Sequence, residues 1–265
     1  MVITGGTKGL GRGLCEAFLA RGCAVTFCGR SQGAVDETVT ALEEGSAGRV
    51  RGVVADVARY EDMQALWDAA HETFGHVDFW INNAGTSHAQ RNFADLPPGD
   101  ITSTVLANLA GTMHGAKIAL AGMQKQGSGH VFNMEGYGSD GSTQPGMSIY
   151  GSTKRAIRYF TAALAKETEG GSVKIGSLSP GIVVTDLLVD VYRDGDAKNW
   201  NASRWLFEII ADPVEPVAAW LAARVLSGPR HGEHVAWMTV PKAMLRMVNP
   251  YYHRRGLFKG RLPGA

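Results

Sequence analysis

Thr4-Gly5-Gly6-Thr7-Lys8-Gly9-Leu10-Gly11 is the stretch of sequence that decides the fold. The apolar residues 1–3 before it predict a buried strand, and residues 10–21 after it predict a helix. A strand, a glycine-rich turn and a helix in this order form the context that a dinucleotide-binding fingerprint requires. The stretch therefore indicates a nucleotide cofactor rather than a merely flexible loop.

The glycines of this turn have separate tasks. Gly5 permits the tight turn, Gly9 lets the backbone approach a pyrophosphate, and Gly11 lets the helix pack closely on the strand. The helix N-terminus offers unpaired N–H groups and a positive dipole end to the phosphates. We expect the cofactor to be held here by Gly5, Thr7, Lys8, Gly9, Leu10 and Gly11.

Apolar, strand-like runs alternate with helical stretches along the chain. This alternation predicts an α/β fold, namely a Rossmann-type, doubly wound parallel sheet of about seven strands with helices on both faces. No repeat or linker divides the sequence, so we expect residues 1–265 to form a single domain. The predicted strands are 2–4, 24–28, 50–55, 79–82, 130–134, 173–178 and 234–238, and the predicted helices are 11–21, 35–44, 60–74, 101–124, 152–167 and 214–226.

Composition and charge exclude several classes of protein. Hydrophobic residues make up 45% of the 265 and charged residues 19%, which excludes wholesale disorder, and the net charge of +1 gives no indication of a nucleic-acid partner. The sequence has no run of 18 apolar residues and no charged leader, so we expect a cytoplasmic protein that is at most peripheral to a membrane. Cys15, Cys23 and Cys28 form no C-x-x-C pair and predict reduced thiols, and no metal site is indicated.

One segment, residues 186–212, breaks the alternation and is rich in large apolar side chains. Ligands of open α/β sheets bind outside the carboxyl ends of the strands, where an insertion can cover them. We therefore interpret this segment as a lid over an apolar substrate and call it the lid segment. The alternative is that its side chains pack on the core or on a partner subunit. The residues concerned are Leu187, Leu188, Tyr192, Trp200, Trp205 and Phe207.

The end of the second strand indicates which nucleotide is bound. NAD-binding folds place an acid there to accept a hydrogen bond from the ribose 2′-OH, whereas this strand ends in Gly29-Arg30-Ser31. Arg30 offers a fork of donors to a 2′-phosphate, and Lys8 adds a second cation nearby. These residues, with Ser31, predict NADP(H).

Tyr150 and Lys154 form the candidate reaction centre. They lie four residues apart, so on a helix they share one face. A neighbouring ammonium stabilises a phenolate, and we expect Lys154 to lower the pKa of Tyr150 toward neutrality. The tyrosine would then exchange a proton with the substrate. A surface tyrosine and lysine on an ordinary helix would be the interpretation if the pair stood alone.

With these motifs the chain resembles the short-chain dehydrogenase/reductase family. The matching pieces, in order, are the glycine turn, Asp56-Val57, Asn82-Asn83-Ala84-Gly85, Asn108, the Tyr150/Lys154 pair and Ser179-Pro180-Gly181 with Thr185. The resemblance implies that Tyr150 is the general acid toward a carbonyl or the base toward an alcohol, that Lys154 also holds the nicotinamide ribose, and that Asn108 orders a water in a proton relay. It further implies cofactor contacts from Asp56, Val57, Asn83, Ala84, Gly85, Pro180, Gly181, Val183 and Thr185.

One position departs from that family. A serine usually follows the fifth strand and hydrogen-bonds the substrate oxygen, but Glu135 and Gly136 stand here instead. We expect Ser139, from the glycine-rich loop that follows, to take the catalytic role. Two alternatives stay open: Glu135 enters the site, or the role is absent.

Within the family, residues 130–260 are similar to the chlorophyll b reductase branch. The similar stretches include Asn133-Met-Glu-Gly136, Ser179–Leu188, Phe207–Ala218 and Arg254-Arg255-Gly256. This resemblance implies NADPH-dependent reduction of the C7 formyl group of chlorophyll(ide) b to hydroxymethyl. The alternatives are an NADPH-dependent carbonyl reductase for another bulky apolar ketone or aldehyde, and a nucleotide-sensing protein that has lost catalysis.

The C-terminal tail, residues 241–265, has six Lys or Arg and no acid, while the rest of the chain has 20 basic and 25 acidic residues. Apolar residues mixed with arginines are typical of contact with an anionic membrane surface or a pigment–protein partner. The other interpretation, which we favour, is packing on another subunit, because the family resemblance implies a homodimer or homotetramer.

Overall fold

The computed structural model describes residues 1–193 and 197–259. Within this part of the chain, seven parallel strands form one sheet in the order β3-β2-β1-β4-β5-β6-β9. The order reverses between β1 and β4, which opens a crevice at the carboxyl ends of these strands. The strands are β1 Val2–Ile3, β2 Val25–Gly29, β3 Val50–Val54, β4 Phe79–Asn82, β5 Gly129–Met134, β6 Val173–Ser179 and β9 His234–Ala236; β7 Ile182–Val183 and β8 Ala211–Asp212 pair separately.

Helices cover both faces of the sheet, which confirms the predicted fold class. The helix predicted over 101–124 is divided: a π-helical turn, Leu106–Ala110, separates two α-helices. The sequence pattern missed the β7–β8 pair and the helices of the lid segment and the tail. The helices are α1 Gly9–Leu19, α2 Gln32–Glu43, α3 Tyr60–Phe74, α4 Pro98–Val105, α5 Gly111–Gln126, α6 Ser148–Glu167, α7 Asp186–Arg193, α8 Ala197–Ile210, α9 Val214–Leu226 and α10 Val240–Val248.

Two apolar cores lie on the sheet. On one face Phe18 of α1 and Leu221 of α9 pack with Phe27 of the sheet, and all three are fully buried. On the other face Trp67 of α3 and Met123 of α5 pack with the sheet core. Burying side chains of this size contributes about 1.5–3 kcal/mol each. The sheet and its helices therefore form a rigid support for the loops at the carboxyl ends of the strands.

The lid segment and the C-terminal tail share a third core. Tyr192, Trp200, Phe207 and Phe258 are at most 7% exposed and contact one another in tilted or edge-to-face arrangements, with the Trp200 and Phe258 ring centroids 5.1 Å apart. Three of the aromatic residues assigned to the substrate site thus pack inside the lid segment. Leu187 and Trp205, by contrast, are 37% and 55% exposed. Residues 194–196 of the lid segment and 260–265 of the tail, including Arg261, lie outside the described residues.

A buried ion cluster fastens the tail to the lid segment. Asp212 of β8 accepts from Arg246 Nη1 at 2.8 Å, from Arg255 Nη1 at 3.2 Å and from Trp237 Nε1 at 2.6 Å. Arg255 also donates to the backbone carbonyls of residues 208, 209 and 211, at the end of α8. Two of the basic residues in the tail are therefore buried against the protein itself.

Candidate active site

The glycine turn has the backbone that the sequence predicts. Gly5 and Gly9 have φ angles of +68° and +54°, in the left-handed region that only glycine adopts without strain. A Cβ on Gly5 would lie 2.9 Å from Ala84 Cα, and one on Gly11 would collide with the Gly5 carbonyl. A Cβ on Gly9 would lie 3.3 Å from Thr185, so the β6–β7 connection approaches the turn. This cradle fits a pyrophosphate group.

The turn is fixed by the end of β4. The Thr4 hydroxyl accepts from the backbone N–H groups of Asn83 and Ala84, at 3.0 and 2.9 Å, and the Asn83 side chain donates to the Thr4 carbonyl at 2.9 Å. These bonds bring Asn83, Ala84 and Gly85 to the crevice beside the turn. The Asn83 amide is thereby engaged in holding the protein backbone.

Of the two cations predicted to select the nucleotide, Arg30 follows β2 directly and Lys8 lies in the glycine turn before α1. Gly29, the last residue of β2, packs against Thr7 of the glycine turn, and Lys8 and Arg30 are both exposed there. Ser31 caps α2, since its hydroxyl accepts from the Ala34 N–H. The structure thus places two unburied cations next to the phosphate cradle.

The remaining predicted cofactor residues surround the same crevice. Asp56 accepts from the Ala58 N–H at 3.0 Å, and Val57 is buried against α5, where a Cβ on Gly111 would lie 2.6 Å from it. Across the crevice Pro180 is buried and Gly181 has a φ of +70°. The last two predicted cofactor contacts on this side are Val183 of β7, which pairs with Asp212 of β8, and Thr185.

The candidate reaction centre lies on the first two turns of α6. Lys154 is 4% exposed, and its Nζ donates to the Met134 carbonyl at 3.2 Å and lies 5.7 Å from the centroid of the Tyr150 ring. A Cβ on Gly136 would lie 2.7 Å from the Tyr150 hydroxyl and 3.2 Å from Lys154 Cε. The Gly136 backbone therefore lies against the phenol, at the place where the family has a serine.

Asn108 joins this centre from the π-helical turn. It is fully buried, accepts from the Thr86 N–H at 2.7 Å, and donates to the Thr86 carbonyl at 2.9 Å and to the Thr153 hydroxyl at 3.1 Å. Thr153 in turn donates to the Tyr150 carbonyl at 2.7 Å. Single π turns inside α-helices are common at functional sites, and here the extra residue lets Asn108 point at α6.

The protonation states differ from those that the sequence argument expects. Burial raises the pKa of Tyr150 to about 12, so the expected downward shift is wrong. Burial lowers the pKa of Lys154 to about 8, against a smaller raising effect from the Glu135 carboxylate. The lysine Nζ donates to the Met134 carbonyl at 3.2 Å, and burial alone accounts for the raised pKa of the resting phenol. The tyrosine keeps its proton through the neutral range.

Glu135 and Ser139 lie behind this centre. The Glu135 carboxylate is buried, 3.3 Å from His234 Nδ1 and 3.6 Å from Arg158 Nη1. Burial raises its pKa, but hydrogen bonds from His234, Ser177 and Ser139 outweigh burial and lower the pKa overall. The Ser139 hydroxyl thus faces Glu135, and the catalytic role given to it stays a prediction.

Sequence reasoning missed the partners of Glu135. His234 is the first residue of β9 and its side chain is 39% exposed, but its Nδ1 lies 3.3 Å from Glu135 Oε1 and 2.9 Å from the Ser177 hydroxyl. The signal available was parallel pairing, because β6 and β9 set Ser177 opposite His234. Among residues 1–193 and 197–259, no group of three or more His, Cys, Asp or Glu side chains is arranged to hold a metal ion. Cys15, Cys23 and Cys28 are free thiols.

Comparison with known proteins places these features in a family. A family model described as short chain dehydrogenase matches residues 1–195. A probable chlorophyll(ide) b reductase, NYC1, from Oryza sativa subsp. japonica is 35% identical over 271 residues, which cover 96% of this chain and 52% of that protein. Chlorophyll(ide) b reductase NOL from the same plant is 33% identical, over 94% of this chain and 74% of that protein, and both are described as chloroplastic. The chain thus spans about half the length of NYC1.

Solved structures show the same fold. Levodione reductase superposes with a TM-score of 0.81 at 25% identity, over 91% of this chain and 96% of that one. The KRED1-Pglu enzyme superposes with a TM-score of 0.76 at 26% identity, over 88% of this chain and 98% of that one.

Proposed function

The chain belongs to the short-chain dehydrogenase family, and on that premise we propose that it reduces the C7 formyl group of chlorophyll(ide) b to hydroxymethyl with NADPH. The observation that carries the proposal is the geometry of the Tyr150 phenol, whose hydroxyl lies against the Gly136 backbone and whose ring centroid is 5.7 Å from Nζ of the buried Lys154. The likeness to plant chlorophyll(ide) b reductases over nearly the whole chain supports the choice of substrate.

The residues of the centre divide the work of a carbonyl reduction. NADPH, held by the glycine turn, would supply the hydride. Tyr150 donates its proton to the developing alkoxide, as a phenol with a pKa of about 12 can do when neutral at the working pH. The Lys154 ammonium then stabilises the phenolate that remains. Asn108, through Thr153, fixes the first turn of α6 and so the direction of the phenol.

The missing serine favours a bulky substrate. Gly136 has no side chain, so the phenol is approached by backbone alone on that side. A flat macrocycle needs such room next to its reacting group, together with apolar walls. The exposed Leu187 and Trp205 of the lid segment would supply these walls, with the lid segment closing over the pigment.

The first experiment tests the reaction itself. Purified protein is mixed with NADPH and chlorophyllide b, and absorption reports formation of the 7-hydroxymethyl product. Tyr150→Phe removes the proton donor and nothing else, so we expect turnover to fall by about 10²–10⁴-fold with NADPH binding kept. If the pigment is not reduced while bulky apolar ketones or aldehydes are, the alternative carbonyl reductase replaces the proposal. If NADPH binds and no carbonyl is reduced, a nucleotide-binding protein without catalysis is the function that remains.

The nucleotide choice has its own test. Arg30 and Lys8 support NADPH over NADH, because charge-assisted bonds to a 2′-phosphate contribute about 1.5–3 kcal/mol. We expect Arg30→Gln to lower the ratio of kcat/KM for NADPH to that for NADH by about tenfold or more. Arg51→Gln, an exposed arginine of β3, is the matched control. An unchanged ratio would remove Arg30 from the 2′-phosphate site.

The tail offers an exposed apolar stripe on α10 and the turn after it. Val240, Met244, Leu245, Val248 and Tyr251 are 65–77% exposed. The stripe supports either packing in a homodimer or homotetramer or peripheral contact with an anionic membrane surface, and no helix among the described residues is long and apolar enough to span a bilayer.

A double variant distinguishes between the two possible partners of the stripe, which are another subunit and a membrane surface. Leu245→Gln with Val248→Gln leaves Arg246, Arg255 and Phe258 in place, which deletion of the tail would not. We expect sedimentation to show loss of the oligomer in this variant. If instead the native protein is monomeric and floats with anionic vesicles, and the variant does not, the stripe is a membrane contact.

A further inference from the structure

The departure from the family at residues 135 and 136 has a structural counterpart in a buried charge cluster. Glu135 follows β5 directly, and its backbone N–H donates to the Leu178 carbonyl of β6 at 2.8 Å. Its carboxylate is 2% exposed, and within the described part of the chain its Oε2 has no hydrogen-bond partner. An ionised carboxylate in such a place is costly unless neighbouring groups hold it.

Groups from several elements face this carboxylate. His234 of β9 lies 3.3 Å from Oε1, and Arg158 of α6 lies 3.6 Å from Oε2. Ser177 of β6 and Ser139 of the β5–α6 loop also face the carboxylate and help to lower its pKa. The Glu135 carboxylate therefore connects the loop after β5 to β6, β9 and α6.

The residues on both sides of Glu135 touch Lys154. The Met134 carbonyl accepts from Lys154 Nζ, and the Gly136 backbone packs against Lys154 Cε and the Tyr150 hydroxyl. Arg158 lies one helical turn beyond Lys154 on α6. The segment 134–136 is thus a cradle for the lysine, and Glu135 is both its anchor and a nearby negative charge.

We propose that Glu135 is a positioning residue of the reaction centre, which holds segment 134–136 against Tyr150 and keeps Lys154 in its ammonium form. The proposal rests on the proposed function, in which that ammonium stabilises the tyrosine anion. It gives Glu135, which stands with Gly136 where the family has a serine, a task at Lys154 instead of at the substrate. Through His234, which is 39% exposed, the cluster also reaches solvent.

Glu135→Gln keeps the shape of the side chain and removes its charge. Burial already lowers the pKa of Lys154 to about 8, and Glu135 opposes this, so the variant should lower it further. We expect the Lys154 midpoint to fall on the order of one pH unit. Glu16→Gln, which removes an exposed carboxylate paired with Arg12, is the matched control and should leave the midpoint unchanged.

The first readout does not depend on activity. In protein labelled with 13C-lysine, the Lys154 Cε signal is identified by its absence from Lys154→Arg, and its shift is followed from pH 6 to 11. Equal midpoints in wild type and Glu135→Gln, with equal melting temperatures, would overturn the proposal.

The second readout is the pH profile of kcat with the best carbonyl substrate. The alkaline limb of Glu135→Gln should lie about one pH unit below that of wild type, which makes turnover about tenfold lower on that limb. A merely structural role would lower kcat at all pH values without moving the limb. If Glu135→Gln shifts the Lys154 midpoint but the protein reduces no carbonyl, the effect of Glu135 on Lys154 stands and the proposed function is wrong.

Discussion

The nucleotide side of the molecule and the lid segment with its tail are held together in different ways. The nucleotide side uses backbone: left-handed glycines, the Thr4 hydroxyl bonded to main-chain N–H groups, and parallel strands. The lid segment uses side chains that are distant in sequence, with Phe258 among its aromatic residues and one carboxylate, Asp212, shared by two arginines. The first arrangement depends on glycines and on bonds to main-chain groups, and the second depends on a few large or charged side chains.

Removing the shared carboxylate should produce the largest effect. Asp212→Asn leaves the Arg246 and Arg255 guanidinium groups buried without a counter-charge, and breaking such a pair costs about 3–5 kcal/mol. We expect the loss in the free energy of unfolding, measured in urea, to be accompanied by proteolysis within the lid segment and tail. NADPH affinity should change little, because the glycine turn makes no use of Asp212.

Asp78→Asn is the control for this comparison, since its carboxylate is 67% exposed and pairs with His76 at the surface. A surface pair contributes at most about 1 kcal/mol. If Asp212→Asn unfolds no more easily than Asp78→Asn, the two regions do not differ in the way described.

Gly136→Ala tests the contact between the Gly136 backbone and the Tyr150 phenol. The added Cβ would lie 2.7 Å from the Tyr150 hydroxyl, so the phenol must move. A displacement of about 1 Å at a reacting group can cost on the order of 10²-fold in rate, and we expect a fall in kcat of that size. Gly33→Ala, where a Cβ meets no atom within 4 Å, should keep full activity. If Gly136→Ala keeps full activity, the Tyr150 phenol is not the proton donor of the reaction.

The pH dependence of turnover is the mildest expected effect. Burial lowers the pKa of Lys154 to about 8, so its ammonium is lost as pH rises through that value, whereas Tyr150, at about 12, stays protonated. We expect kcat for carbonyl reduction to be halved near pH 8 and to be about tenfold lower one pH unit above it. A kcat that increases from pH 7 to 9 would indicate that the phenolate is the active form.

The sequence predicts the nucleotide side of the molecule better than it predicts the lid segment and the tail. The glycine turn, the seven strands and the Tyr150/Lys154 spacing are local patterns, and the structure has all of them. The lid segment's helices and its shared core with Phe258 depend on contacts between distant residues, so periodicity gave only an apolar segment. The prediction that Lys154 lowers the pKa of Tyr150 is wrong, because the four-residue spacing predicts that the two side chains are close but not that both are desolvated.

Phe258 also bears on the order in which the molecule is completed as it is synthesised. Six of the seven strands of the main sheet end by Ser179, whereas the aromatic core of the lid segment has to wait for Phe258. Because a chain emerges from the ribosome N-terminus first, the cofactor cradle can form while the substrate side is still open. The lid segment is thus the part of the described chain that completes its core last.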